Sequence, residues 1–437
     1  MIQAVFLLGG KGSRLGLIDR PKPLVDVDGL PLLRRSLNLL AGQGVRRFVF
    51  LVNYMAEAIR DMFGDGGAEG WEIAYAYDNG GLGTAGAVRA ARDLLEEEFL
   101  LVYGDVLFDV DIARFCRAAR AAHGNGTLMI HPNDHPIDSD LVRIDQRDAR
   151  TDAIVAIHQK PRSADALHRN LVNAGLCYLR RSALLDINDK AIEPDWGRDV
   201  FPTAVAQGAQ YSAYRTIEYV KDIGTPERLE RGRLDVALGI VDRRSYRSSQ
   251  SAVFLDRDGV LNAEINGVYR SSDLVLLPGA AEGIRRLNLA GIATILITNQ
   301  PGVAKGMMTM EELENTHARL DQLLSQEGAY LDDAYCCTHY PVAGFAGEVP
   351  ELKVACACRK PSSGMFLRAA KDHVLALDRS VMIGDRDVDI TAARTAGCAT
   401  IYVPTNRMVC DSTLCAAADD VAQGLSEAVD IILSKMT

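Results

Sequence analysis

Two carboxylates, Asp256 and Asp258, flank a single residue directly after the apolar run Ala252-Val253-Phe254-Leu255, and Gly259 follows them. Residues i and i+2 of an extended segment point the same way, so both acids can face one substrate. Thr298 and Asn299 close a second apolar run that starts at Ile292, Lys360 stands in Arg359-Lys360-Pro361, and Asp385 ends the run Val381-Met382-Ile383-Gly384. Acids at strand ends bind Mg²⁺ and supply a nucleophile, while a hydroxyl and an ammonium hold phosphoryl oxygens. That set suits phosphoryl transfer. No Ser elbow and no paired-His metal motif accompanies it, which removes triad and metal-hydroxide hydrolysis. Helical spacing over 278–290 and 309–327 separates the runs, so the strands are expected to be parallel, with the acids at the carboxyl-end crevice.

A second cluster lies between these motifs. Cys337-Thr338-His339 and Cys356-Ala357-Cys358 offer three thiolates and one imidazole, a closed set appropriate to structural zinc. Cys336 adjoins Cys337, so either could ligate. Cys116, Cys177, Cys398, Cys410 and Cys415 read as ordinary thiols, and nine cysteines without even spacing suggest a reducing compartment.

The first half carries a different chemistry. The run Ile2 to Leu8 meets Gly9-Gly10-Lys11-Gly12-Ser13-Arg14, where glycines let backbone N–H groups approach a phosphate chain and Lys11 and Arg14 add charge. Pro21-Lys22-Pro23 presents another lysine on a rigid turn, and Gly83-Thr84-Ala85-Gly86 precedes a helical stretch. Asp105 ends the run that starts at Phe99, and Asp222 ends a later β-like run, so the pair could share a hard cation. A helix over 31–44 and a strand over 47–52 continue the α/β alternation.

The chain has 437 residues, 48% apolar and 24% charged, which accommodates more than one domain core. A net charge of −10 argues against nucleic acid as partner, and no apolar run is long enough to span a membrane. The N-terminus lacks a secretory leader, so a cytoplasmic enzyme of small-molecule substrates is expected. Residues 241–250 are polar and aperiodic, a linker between domains at 1–240 and 251–437.

The first half resembles the sugar-phosphate nucleotidyltransferases. Gly-Gly-x-Gly-x-Arg-Leu, Pro-Lys-Pro, Leu-Gly-Thr-Ala-Gly, Gly-Asp, Asn173-Ala174-Gly175 and Asp-Ile-Gly-Thr-Pro occur in that family's order. The resemblance implies that Gly9, Gly10, Arg14 and Lys22 hold a nucleoside triphosphate, that Gly83, Thr84, Gly86 and Asn173 lie near base and sugar, and that Asp105 and Asp222 share Mg²⁺. Lys160 would neutralise the sugar 1-phosphate. Gln159 stands where the family usually has Glu, and the segment after Leu15 lacks the usual Pro-Leu-Thr.

The second half resembles the haloacid dehalogenase superfamily, and its Asp-Arg-Asp-Gly-Val, Thr-Asn-Gln-x-Gly and Cys-x-Cys-Arg-Lys-Pro are similar to those of D-glycero-D-manno-heptose 1,7-bisphosphate 7-phosphatases. By that likeness Asp256 is the nucleophile and Asp258 the general acid. Thr298, Asn299, Arg359 and Lys360 bind substrate. Asp256, Asp385 and the Asp258 carbonyl take Mg²⁺, and Cys337 is preferred with His339, Cys356 and Cys358 for Zn²⁺. The fold expected is two Rossmann-like α/β domains with mostly parallel sheets, the second bearing a zinc loop.

Together the halves imply a bifunctional enzyme of nucleotide-activated heptose synthesis for surface polysaccharide, with GMP transfer and the α-anomer favoured. Histidinol-phosphate phosphatases share much of the second motif set. A hexose 1-phosphate nucleotidyltransferase joined to such a phosphatase therefore stays open, as does a first half that senses nucleotide sugars without turnover. Oligomeric state is left undetermined.

Overall fold

In the computed structural model, residues 2–10, 12–16, 20–78, 80–145, 151–163, 165–188, 190–404 and 412–435 are described. Lys11 and Cys410 lie outside them. Contacts divide the chain into two units, the first made of 1–131, 137–162 and 171–247, the second of 132–136, 163–170 and 248–437. The short stretches 132–136 and 163–170, expected in the first domain, thus group with the second unit. No helix among the described residues is long and apolar enough to cross a membrane.

The first unit is built on a nine-stranded sheet. Its strands in chain order are β1 (Gln3–Leu7), β2 (Arg47–Val52), β3 (Glu72–Tyr77), β4 (Glu98–Tyr103), β5 (Gly126–His131), β6 (Leu141–Asp145), β7 (Thr151–His158), β8 (Val172–Arg180) and β9 (Tyr211–Arg215). The spatial order is β3-β2-β1-β4-β8-β5-β9-β7-β6. From β3 to β4 the pairs are parallel, as the α/β alternation requires, and β1 runs buried between β2 and β4. Beyond β4 the pairs are antiparallel except β5 with β9. The helix Leu32–Gly42 crosses from β1 to β2 with Leu33, Leu37 and Leu40 buried, the spacing of one helical face.

The second unit holds a six-stranded sheet whose pairs are all parallel. Its strands are β10 (Ala252–Leu255), β11 (Ala293–Asn299), β12 (Asp333–Cys337), β13 (Val381–Gly384), β14 (Ala399–Tyr402) and β15 (Asp420–Val421), in the order β12-β11-β10-β13-β14-β15. The mostly parallel α/β expectation holds here throughout. β10 is buried on both faces, which explains why it reads as a continuous apolar run rather than an alternation. Its order reverses here: β11 lies on one side of β10 and β13 on the other, so Asp256, Thr298 and Asp385 emerge at neighbouring carboxyl ends.

Residues 241–250 are docked rather than solvated. Ile240–Arg243 is helical, Ser245 Oγ donates to the buried Asp109 carboxylate at 2.9 Å, and Arg247 pairs with the same acid at 3.5 Å. Gln250 donates its backbone N–H to Val374 and accepts that of Ala376. Polar composition hid these partners, since a buried acid recruits polar side chains that an apolar periodicity does not register. Cys415, expected as a free thiol, is disulfide-bonded.

Phe254 on β10 is fully buried and meets Phe366 edge-on at 4.9 Å between ring centroids. Phe254→Ala should destabilise the second unit by about 3–5 kcal/mol. Urea unfolding followed by circular dichroism measures it, and a midpoint unchanged from wild type would contradict this packing.

Candidate functional site

In the second unit, β10 delivers Asp256 into a cluster with Asp385 and Asp389, whose nearest carboxylate oxygens all lie within 4.8 Å of one another. Lys360 reaches in from the turn before the helix Gly364–His373, with Nζ 2.9 Å from Asp256 and 2.6 Å from Asp389, and donates to the Ile297 carbonyl at 2.7 Å. Burial opposes the charge on Lys360, yet the two carboxylates outweigh it and hold its pKa above the usual lysine range. Burial pushes the Asp256 carboxyl up to about 7 against the pull of Lys360, with Asp389, Asp385 and Asp258 adding to the rise. Three acids facing one ammonium leave negative charge in excess, so the cluster fits a hard divalent cation with oxygen ligands.

Asp389 is absent from the sequence expectation. It is the third residue of the helix Asp387–Ala396, and the acid-rich run Asp385-Arg386-Asp387-Val388-Asp389 was the available signal. Asp258 points elsewhere. Its carboxylate accepts from Asn262 Nδ2 at 2.9 Å and Gln300 Nε2 at 2.8 Å, and pairs with the Arg257 guanidinium at 3.1 Å. The turn that carries it needs Gly259 at φ +86°, a left-handed conformation, with the Gly259 N–H donating to the Asn262 carbonyl. The clustered carboxylates that could hold a cation are therefore those of Asp256, Asp385 and Asp389, and the Asp258 carboxylate is not among them.

Thr298 is buried beside this cluster on β11, and its Oγ accepts from Gln300 at 2.9 Å. Asn299 does not project as a substrate ligand. Its amide brackets the Lys360 backbone, donating to the carbonyl at 2.9 Å and accepting from the N–H at 3.0 Å. Arg359 donates to the His339 carbonyl at 3.3 Å and lies over the Tyr340 ring.

The Cys and His set closes as its spacing suggested. Cys337 Sγ lies 3.6 Å from Cys356 and 3.3 Å from Cys358, the latter two are 3.1 Å apart, and His339 Nδ1 is 3.3 Å from Cys358. A disulfide would bring sulfurs to about 2.05 Å, and tetrahedral zinc with bonds of about 2.3 Å sets them about 3.8 Å apart. The donors sit near the zinc value, and their chemistry fits a closed structural site. β12 settles the choice between neighbours: Cys337 joins the cluster, while the adjacent Cys336 faces the other way, where burial pushes its thiol up to about 12.

In the first unit a cleft of about 410 Å³ is lined by Gly9, Gly10, Arg14 and Lys22 with Gly83, Thr84, Tyr103 and Asp105. Lys22 Nζ sits 2.6 Å from Asp105. The strand Tyr219–Asp222 pairs with Val106–Asp109 so that Asp222 lies opposite Val106, next to Asp105. Asp222 accepts from the Gly224 N–H and pairs with Arg228 at 2.8 Å; Arg228 also reaches Asp138 at 3.2 Å. Arg228 is a further residue that no motif announced. Asp105 and Asp222 are thus brought next to one another by strand pairing, each paired with a basic side chain, Lys22 and Arg228.

Gly83 needs its hydrogen, because at φ +64° a Cβ would come 2.4 Å from the Glu193 carbonyl carbon. Thr84 Oγ donates to Asp195 at 2.8 Å and accepts the Trp196 N–H, so its side chain holds the segment beneath the cleft. Gly86 packs on Leu82 and Pro194 and is not among the cleft-lining residues. Asn173 accepts from the Gly175 N–H, and Lys160 donates to the Asp138 carbonyl; neither lines the cleft.

Comparison with known proteins resolves the two halves. The nucleotidyl transferase family profile matches residues 3–237, and a HAD-hydrolase-like profile matches 357–428. The chain belongs to the nucleotidyl transferase family and carries a haloacid dehalogenase-like phosphatase as its second half. Among its relatives is D-glycero-D-manno-heptose-1,7-bisphosphate 7-phosphatase of Thermosynechococcus vestitus, 41% identical over 42% of this chain and 96% of that protein. Mannose-1-phosphate guanylyltransferase of Mycobacterium tuberculosis is 30% identical over 56% of this chain and 67% of that protein. A solved D,D-heptose 1,7-bisphosphate phosphatase from B. bronchiseptica, complexed with magnesium and phosphate, shares 30% identity over 43% of this chain and 99% of its own, with a TM-score of 0.37. The relatives are enzymes, and this chain is a transferase and a hydrolase in one.

Two outcomes follow from the metal geometry. Purified wild type should contain about one zinc per chain and Cys356→Ser much less by elemental analysis; equal contents would remove Cys356 from the site. The raised Asp256 carboxyl must lose its proton to a cation, so Mg²⁺ affinity should weaken as pH falls from about 8 to about 6. The sign is that of a raised acid: the metal-free fold loses stability as pH rises through about 7, and Mg²⁺ restores it above. Calorimetric titration with Mg²⁺ across that range checks it, a flat profile being the contrary result.

Proposed function

We propose that the chain converts D-glycero-D-manno-heptose 1,7-bisphosphate into a nucleotide-activated heptose by two consecutive reactions. The observation that carries this reading is the joining, on one chain, of a nucleotidyl transferase domain to a half that aligns with 96% of a heptose-bisphosphate 7-phosphatase. A phosphatase removing the distal phosphate makes a sugar 1-phosphate, and that is the acceptor a nucleotidyltransferase uses.

In the phosphatase half, an Asp256 oxygen attacks the 7-phosphorus in line with the leaving sugar oxygen, forming an aspartyl-phosphate. Asp258 gives the leaving oxygen its proton and then takes one from the water that hydrolyses the acyl phosphate. Thr298 and Lys360 hold the phosphoryl oxygens, and Arg359 faces the substrate from the zinc loop. Asp256, Asp385 and Asp389 would hold a divalent cation, which would neutralise charge on the phosphoryl group when bound. Zinc on Cys337, His339, Cys356 and Cys358 is structural.

In the transferase half, Gly9, Gly10, Arg14 and Lys22 hold the triphosphate, and Asp105 with Asp222 provides oxygen ligands for Mg²⁺. Lys160 neutralises the sugar 1-phosphate, which displaces pyrophosphate at the α-phosphorus. The work is alignment and charge neutralisation. GTP is favoured because a guanylyltransferase acting on a manno-configured sugar phosphate is among the relatives.

Incubation with the bisphosphate, GTP and Mg²⁺ should yield GDP-heptose, phosphate and pyrophosphate, with ATP, UTP and dTTP as parallel arms. Asp256→Asn should abolish phosphate release while sparing nucleotidyl transfer to supplied heptose 1-phosphate, and Asp105→Ala should do the reverse, each by about 10³-fold or more. Absence of any sugar nucleotide from wild type would sink the proposal.

A further inference from the structure

We infer that Gln300 is a positioning residue for the phosphatase reaction, locking the general acid Asp258 and the phosphoryl-binding Thr298 into one fixed arrangement. The inference rests on the phosphatase reading above and adds a residue that it does not use. Gln300 follows β11, has 5% exposure, and donates its backbone N–H to the Cys337 carbonyl at 2.8 Å. Its amide nitrogen donates to Asp258 Oδ2 at 2.8 Å and to Thr298 Oγ1 at 2.9 Å. Its amide oxygen accepts from Arg257 Nη2 at 2.9 Å.

Charge fixes the sense of this amide. A flipped Gln300 would set its oxygen against the Asp258 carboxylate and its N–H groups against a guanidinium, losing both contacts to charged groups. Arg257 itself is fully buried and cannot turn away, because Nε and Nη2 are spent on the Asp258 carboxylate at 3.1–3.3 Å. Both amide hydrogens therefore have assigned acceptors, and neither can be exchanged for water without opening the core.

The consequence concerns one hydrogen. Thr298 Oγ accepts from Gln300, so its own hydroxyl hydrogen points away from Gln300 and is available to a phosphoryl oxygen. At the same time Asp258, gripped by Gln300 on one oxygen and Asn262 on the other, is held at a fixed distance from that phosphoryl group. Proton delivery to a leaving oxygen loses its advantage with misplacements of about 1 Å, which makes such bracing matter to rate.

The test uses two esters that differ in how much they need a proton. A sugar phosphate leaves as an alkoxide and requires one; p-nitrophenyl phosphate leaves as a stable phenolate and does not. Gln300→Glu keeps size and the Arg257 contact but removes both donors, and Gln300→Leu removes all polar contacts. Each should lower kcat/KM, which reports only the steps up to departure of the leaving group, at least about tenfold more for the heptose bisphosphate than for p-nitrophenyl phosphate. Thermal unfolding of both variants reports whether they are folded. Equal losses on the two esters, or no loss in the folded Gln300→Glu protein, would overturn the positioning role. Wild type that turned over neither ester would overturn the phosphatase reading, and this inference with it.

Discussion

The second unit depends on one ammonium. Asp256, Asp385 and Asp389 are buried together, and three carboxylates in such a space repel one another and resist ionisation. Lys360 answers that repulsion from within 2.9 Å of two of them, its side chain almost wholly out of solvent. Buried charge of this kind survives only when its partners are placed well, because the loss of one leaves the others uncompensated. The charge that remains in excess after Lys360 is what suits the cluster to a cation, so one ion pair explains both the persistence of the acids and the chemistry they favour.

What places Lys360 is a chain of contacts leading from the sulfur cluster. Cys356 and Cys358 precede it by four and two residues, so drawing those thiols onto Cys337 and His339 fixes the backbone that carries the lysine. Asn299 then clamps that backbone through two hydrogen bonds from the end of β11, and β11 lies beside β12 with Asn299 opposite Cys337. The sulfur cluster touches none of the buried acids, yet it stands two residues from the lysine that does. Its value is rigidity where rotamer freedom in a long lysine side chain would otherwise be costly.

Much of this was legible in the sequence, and the reason is physical. Strand-end acids after continuous apolar runs announce a parallel sheet and its crevice, so Asp256, Thr298 and Asp385 could be placed beside one another before any coordinates. The Cys and His pairs announced their cluster by spacing alone. What the sequence left without a role were residues whose partners are distant in it: Asp389 and Arg228 are ordinary helix residues, and Gln300 only a letter of its motif, until the fold supplies what they touch. The same blindness made 241–250 look like a solvated linker, because the buried Asp109 that captures Ser245 and Arg247 lies far upstream. Asn299 shows what a motif leaves out: its amide holds the Lys360 backbone, a contact 61 residues away that the sequence does not display.

The two units solve the same electrostatic problem with different means, and the difference suits the reactions proposed for them. In the transferase cleft Lys22 and Arg14 face a broad opening beside Asp105, and glycines rather than side chains form much of the wall, an arrangement that admits a large polyanion to backbone N–H groups. In the phosphatase the charges are tightly packed and side chains do nearly all the contacting, which suits a single phosphoryl group attacked at close range. A transfer that moves a nucleotide without a covalent intermediate needs room and alignment. A transfer that passes through the protein's own carboxylate needs the nucleophile held still, its repulsive neighbours balanced and its acid braced. On the mechanism proposed for the second half, the buried Lys360 and the bracketed Asp258 meet that second requirement, and the glycine-lined cleft meets the first.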